Sequence, residues 1–344
     1  MFAARTGVIA STRLTPPVSS TGYYRAITLD QPASDLTNFP VLISGTYSYL
    51  ATVANAGKVS DANGYDITFY SDSSLTTLLD FERVFWDDTT GEVEFWVRVP
   101  TLTSASATVI YMAYGNSSIT TDQSNATGTW NSSYKAVYHF ADGSTLNVGD
   151  ATGANNGTNT NATATVGQID GGAHFAANAG ISNNVNFNTV GQPFTLSCWI
   201  NPSGTTGTRT IWAANTASIG GLQWRVIAPS NTLQLLKQSS SVEFTTTLTV
   251  PASTWSYLVL TIDASNNAKI YLDNNSAESQ TKSAGLFASF TSIIGRHGTG
   301  AELFNGDLDE IRVLNVQLSA DWIAAEYSNQ NDPANFYSIG AELP

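Results

Sequence analysis

Phe304–Tyr327 reads FNGDLDEIRVLNVQLSADWIAAEY. It places three carboxylates, Asp307, Asp309 and Glu310, at the head of a run with the apolar alternation of a β-strand. Ser319 then suits a helix N-cap and Asp321 a first turn. Trp322, Ile323 and Tyr327 can supply an apolar face, so the spacing predicts one short helix. Strict alternation puts Asp309 on one face with Ile311 and Val313, and Leu308, Glu310 and Arg312 on the other. If the aliphatic face is the inner one, Asp309 points inward and needs compensation, because an unpaired buried charge is very costly. Backbone amides or a cation could supply it. Whether these carboxylates break bonds, hold a metal or pin loops separates an enzyme from a binding module.

Working outward, the rest of the chain reads as β-structure. YYRAITL, PVLIS, YDITFY, LDFERVFW, EVEFWVRV and ATVIYMAY are short runs rich in β-branched and aromatic residues, bounded by polar turns. In EVEFWVRV, Val93, Phe95, Val97 and Val99 take the inward face. Glu92, Glu94, Trp96 and Arg98 share the other, which reads as a charged face that could also meet a partner or the neighbouring domain. A second series begins with KAVYHF and continues through GAHF, FTLSCWI, TIWAA, LQWRVIA, TLQLL, VEFTTTLTV, WSYLVLTI, AKIYLD and SIIG. Its short spacing predicts an antiparallel sandwich rather than βαβ units. The expected organisation is all-β: an N-terminal arm over 1–21, a small β-sandwich over 22–117, a linker over 118–133 and a second sandwich over 134–344.

Composition narrows the function classes. Of 344 residues, 42% are hydrophobic and only 12% charged, and the net charge is −13. No basic cluster stands out, which argues against a nucleic-acid or anionic-membrane partner. Cys198 is the only cysteine, so no intrachain disulfide forms. The longest apolar runs are too short to span a bilayer. The first residues show no secretory apolar core, although the composition resembles that of proteins working outside cells. A virion protein, made in a host cytosol and released by lysis, reconciles the two.

The ordered set AVYHFADG, DATGANNGT, QIDGGAHF, FTLSCWI, STWSYLVLTID, KIYLDN and GDLDEIRVLNVQLSADWI resembles the concanavalin A-like superfamily in its laminin-G-like jelly-roll branch. DLTNFPVLIS, GYDITFYSD, FWVRVP and YMAYGN resemble a small bacterial and phage β domain of unknown function that often precedes such a domain. The sequence departs from the usual pattern at Val316-Gln317. The resemblance implies a structural Ca²⁺ near Asp309, with Asp142 and Asp150 as the matching loop ligands. Oxygen-only ligands suit that ion, and amide-bonded aspartates without metal are the alternative.

No catalytic residues are expected. Laminarinase-type relatives carry Glu-x-Asp-x-x-Glu on one strand, and nothing here matches it. His139, His174 and His297 show no metal-ligand spacing, and His139 reads as a satisfied strand histidine. Trp212 and Trp224, with Arg225 beside them, are the expected sugar-binding platform, core packing being the alternative. The functional expectation is a non-enzymatic bacteriophage virion surface protein: a capsid decoration, fibre or tail-associated adhesin. The arm would meet other virion proteins, the lectin-like domain would meet host-surface glycan, and a homo-oligomer is among the expected assemblies. A bacterial secreted or surface adhesin, a purely structural decoration protein and a glycan-cleaving enzyme are the alternatives.

Overall fold

The computed structural model describes residues 22–141, 145–185, 192–214, 221–237, 242–273, 276–281 and 291–344. The expected arm over 1–21 and Asp142 lie outside the described residues. Elsewhere the fold is all-β, as expected.

The first sandwich faces two antiparallel sheets. One runs, in spatial order, Tyr337–Leu343, Tyr23–Leu29, Thr108–Tyr114, Thr68–Tyr70. The other runs Leu36–Thr46, Glu92–Leu102, Phe81–Trp86. Alternation builds the core between them: Val93, Phe95, Val97 and Val99 are buried together against Phe39, Phe69 and Phe81.

The second sandwich is a jelly roll of an eight-stranded and a seven-stranded sheet. The eight-stranded sheet is centred on Phe194–Pro202, Ser256–Ile262 and Gly306–Leu314, and Tyr134–Tyr138 pairs with the last of these. The seven-stranded sheet is built around Arg209–Ala214, Leu222–Ile227 and Thr232–Lys237. Their inner faces meet in one core that includes Leu196, Trp212, Trp224, Leu235, Leu260 and Ile311.

A third apolar cluster lies between the sandwiches. It joins Leu42 and Trp96 of the first to Trp199, Tyr257 and Val259 of the second, with Trp130 and Ile323 beside them. The predicted helix is present at Ala320–Asn331. The Ser319 hydroxyl caps it by accepting from the Trp322 amide at 3.1 Å. The helix is buried on both sides. Ala325 joins the core of the first sandwich, Ile323 joins the seam, and Trp322 packs against both.

Four expectations need correction. The range to 344 assigned the C-terminus to the jelly roll, but Tyr337–Leu343 pairs antiparallel with Tyr23–Leu29 in the first sandwich. The helix carries the chain back across the seam to reach that open strand edge. The stretch 118–133 is not a free spacer: Asn125 caps a helical turn at Ala126–Thr129, and Trp130 is buried in the seam. The charged-face reading of Trp96 and Glu94 gives way to its alternative, contact with the neighbouring domain: the jelly roll covers that sheet face and leaves them 0% and 3% exposed. Finally, alternation fails inside DLDEIRVL. The pairing with Phe194–Pro202 shifts register between Ser197 and Trp199, and Glu310 takes a left-handed φ of 48°. Leu308, Ile311 and Val313 therefore face the jelly-roll core. Asp309 lies opposite Trp199, on the seam side of the sheet.

Candidate functional site

On the strand Leu222–Ile227, Leu222, Trp224 and Val226 point into the jelly-roll core. The intervening Gln223 and Arg225 therefore stand on the outer face of the seven-stranded sheet. The neighbouring strand repeats the pattern, with Leu233 and Leu235 inward and Gln234 outward, opposite Arg225. A loop carries Glu302 over this face. The Arg225 guanidinium donates to Glu302 at 2.7 and 2.9 Å, and to Gln234 Oε1 from Nε at 3.0 Å and Nη2 at 2.8 Å. The Gln223 amide donates to Glu302 and, at 2.8 Å, to the Thr210 hydroxyl. Gln234 donates onward to the Thr245 hydroxyl at 2.9 Å. Burial holds the His297 imidazole below its ordinary value, against the pull of Glu302 and with the push of Arg225. The result is a fixed array of planar amide, guanidinium and carboxylate groups. Arg225 and Glu302 keep 15% and 31% of their side-chain surface exposed.

The expected aromatic platform is not there. Trp212 and Trp224 face each other across paired strands and are 2% and 1% exposed within the core. Their inward parity with Leu222 and Val226 was legible in LQWRVIA. Arg225 alone of that trio reaches the surface. Glu302 and Gln234 were missed; no local motif marks Glu302, which meets Arg225 across 77 residues of chain.

Of the residues assigned to calcium, Asp150 and Asp309 are described, and both are held by amides. Asp150 accepts from the amides of Val137, Thr152, Ala154 and Asn155 and from the Thr152 hydroxyl. Asp309 Oδ2 accepts from the Gln168 and Ile169 amides, each at 2.9 Å, and Oδ1 from the Glu310 amide at 2.6 Å. Burial and the neighbouring Glu310 charge push the Asp309 carboxyl up, and the amides oppose that push. A hard cation needs the same lone pairs turned toward it. These two donor sets fit loop pinning by amides, the alternative to the metal.

The opening carboxylates thus have separate partners. Asp307 pairs with His174 at 2.6 Å. Glu310 lies in the seam, where Oε1 meets His139 Nδ1 at 2.5 Å and Oε2 accepts from Arg312 at 2.7 Å. His139 Nε2 stands 3.2 Å from Glu82 of the first sandwich. Arg312 also pairs with Glu326, and its guanidinium lies 4.2 Å from the centroid of Trp96. Burial disfavours the charged form of His139, but the charges and hydrogen bonds of Glu310 and Glu82 outweigh it and raise the imidazole well above its ordinary value. The expected satisfied histidine is present, satisfied by carboxylates from both sandwiches.

Residues 170–324 match the concanavalin A-like lectin/glucanases superfamily (Laminin_G_3), and residues 63–169 match a domain of unknown function, DUF2341. The chain therefore carries a concanavalin A-like, laminin-G-like domain preceded by a DUF2341 domain. The DUF2341 match runs through Tyr134–Tyr138 and Thr163–Val166, whose strands hydrogen-bond within the jelly roll. No curated protein matches the chain. Among solved structures it is similar to domain 4 of AbnA, a GH43 extracellular arabinanase from Geobacillus stearothermophilus, in complex with arabinotriose. Identity is 19% over 56% of this chain and 98% of that one, with a TM-score of 0.46. It is also similar to Trypanosoma rangeli sialidase, at 14% identity over 69% and 42% of the two chains and a TM-score of 0.46. The botulinum neurotoxin serotype D binding domain gives 15%, 58%, 52% and 0.45.

Proposed function

We propose that this is a non-enzymatic surface protein of a bacteriophage particle whose jelly roll contacts host-surface glycan through the outer face of its seven-stranded sheet. The observation that carries the reading is the Arg225–Glu302–Gln234–Gln223 array. Sugar hydroxyls are recognised by planar polar groups held in fixed directions, and this array is held by its own hydrogen bonds. With the tryptophans in the core, contact is polar and weak, and many displayed copies supply the avidity. The low charged fraction of the chain fits an exterior location. The arm over 1–21 would attach the molecule to other virion proteins.

Carboxylate placement supports a binding role over hydrolysis. Retaining glycosidases need two carboxyl groups about 5–5.5 Å apart beside an open cleft. Glu94 and Glu310 come close together, but they are 3% and 1% exposed and beyond the reach of a polysaccharide.

The test is binding of the full chain, multivalently displayed on beads, to a panel of bacterial surface polysaccharides. Retention of at least one polysaccharide, lost with Arg225→Ala at an unchanged melting midpoint and with no reducing ends released, is the expected result. Retention that survives Arg225→Ala, or release of reducing ends, overturns the reading. Failure to retain any polysaccharide would favour a purely structural decoration role, which the extensive apolar seam between the sandwiches also suits.

A further inference from the structure

Glu94 sits in the seam with no stated task. It is 3% exposed, and its Oε2 has no hydrogen-bond partner among the described residues. Leaving a buried carboxyl oxygen unmatched is costly. An apolar side chain at this position would avoid that cost.

The surroundings supply a reason for a carboxylate. One carboxylate oxygen each from Glu94 and Glu310 and one ring nitrogen of His139 lie within 4.8 Å of one another, the one such trio of potential metal ligands among the described residues. The three come from separate places in the fold. Glu94 lies on Glu92–Leu102 of the first sandwich, Glu310 lies on Gly306–Leu314 of the jelly roll, and His139 follows Tyr134–Tyr138. Outer partners hold two of them in place: Arg312 fixes the second oxygen of Glu310, and Glu82 faces Nε2 of His139. Bound histidine and carboxylate ligands need such support. A cavity of about 290 Å³, lined by Glu82, His139 and Asp150 among others, borders the trio at His139.

We propose that Glu94, His139 and Glu310 form a binding site for a divalent first-row transition cation, Zn²⁺ fitting best, which clamps the two sandwiches together. One imidazole nitrogen with two carboxylate oxygens suits Zn²⁺ better than Ca²⁺ or Mg²⁺, which favour all-oxygen sets, and no thiolate is present to select softer ions. Entry of the cation replaces the His139–Glu310 hydrogen bond: the proton between them and the proton on the Glu94 carboxyl leave to solvent, and each ligand atom turns a lone pair to the metal. Glu94 then gains the partner it otherwise lacks. Glu82 stays an outer partner on His139 Nε2, and water would fill the fourth position of a four-coordinate shell. Drawing its ligands from two domains and lying at depth, the site is structural.

The experiment uses the full chain, stripped with chelator and then titrated with ZnCl₂ by calorimetry and by thermal melting. The expected result is one Zn²⁺ per chain and a midpoint that rises with free Zn²⁺. Glu94→Gln keeps the shape of a neutral carboxyl, so it should fold without metal and bind Zn²⁺ at least about tenfold more weakly. Absence of binding by the wild-type chain overturns the proposal. So does uptake that Glu94→Gln leaves intact, as adventitious binding at the half-exposed His174–Asp307 pair would. If Glu94→Gln is too unstable to titrate, Co²⁺ bound to the wild-type chain decides. Intense four-coordinate visible bands support the site, and the weak spectrum of aqueous Co²⁺ overturns it. Neither outcome bears on glycan contact at Arg225.

Discussion

At the scale of single residues, the same residue types serve opposite ends according to which face they occupy. Trp224 and Arg225 are adjacent, yet one fills the core and the other organises the surface array. Trp224→Ala should therefore cost roughly 3–5 kcal/mol of stability through the cavity it leaves. Chemical denaturation checks this, and a small loss of stability with a large loss of binding would restore the platform reading. Glu342 is the residue with a clear pH signature. Burial raises its carboxyl, but hydrogen bonds from Lys58 and Tyr114 and the charges of Lys58 and Arg25 outweigh that and hold it below its ordinary value of 4.5. A depressed acid contributes stability that is complete above the ordinary value and is lost as pH falls through the folded one. The melting midpoint of Glu342→Gln should thus lie below wild type at about pH 6, and the gap should close toward about pH 3. A gap that persists in acid would show that Glu342 acts by packing alone.

At the scale of elements, the strand Gly306–Leu314 and the helix Ala320–Asn331 organise the molecule. Gly306 opens the strand at φ 137°, where an added Cβ would sit 2.3 Å from the Asn201 carbonyl oxygen, so a glycine is required. The left-handed Glu310 and the register shift beside it put the Asp309 and Glu310 carboxylates together on the seam side. The helix reaches both sandwiches with side-chain hydrogen bonds. Asn329 accepts from the Leu42 amide at 2.7 Å and donates to the Leu42 carbonyl at 3.0 Å, and Gln330 accepts from Trp199 Nε1 at 2.7 Å. Leu42 is fully buried, so Asn329→Ala strands two backbone groups away from water. The expected loss is about 2–4 kcal/mol, and equilibrium unfolding in urea measures it. A loss below about 0.5 kcal/mol would mean that the helix docks by its apolar contacts alone.

At the scale of the whole molecule, three buried clusters share elements. The helix contributes to the first sandwich and to the seam, and the strand Gly306–Leu314 contributes to the jelly-roll core and to the seam. The chain leaves the first sandwich, builds the second and returns to close the first with Tyr337–Leu343. Neither sandwich can lose its structure without exposing apolar surface of the other. Calorimetry should show a single unfolding transition, with calorimetric and van't Hoff enthalpies agreeing. Two separated transitions would show that the seam holds less than either core.

The sequence by itself determined the local and repetitive features. Alternation marked the strands and the inward valines of EVEFWVRV, Ser319 marked the helix start, and the ordered motifs marked both domains, because these signals are written in residues a few positions apart. It also posed the carboxylate question correctly and named amide pinning as one answer. Tertiary structure alone decided the rest. The bulge that moves Asp309 to the seam, on the same side as Glu310, depends on how a neighbouring strand pairs. The burial of Trp96 and Glu94 depends on a second domain covering their sheet face. The return of the last strand to the first, and the meeting of Glu302 with Arg225, join positions far apart in the chain. Periodicity records which way a side chain points within its own strand. It carries no record of what packs against that face, and here that contact separates a surface group from a buried one.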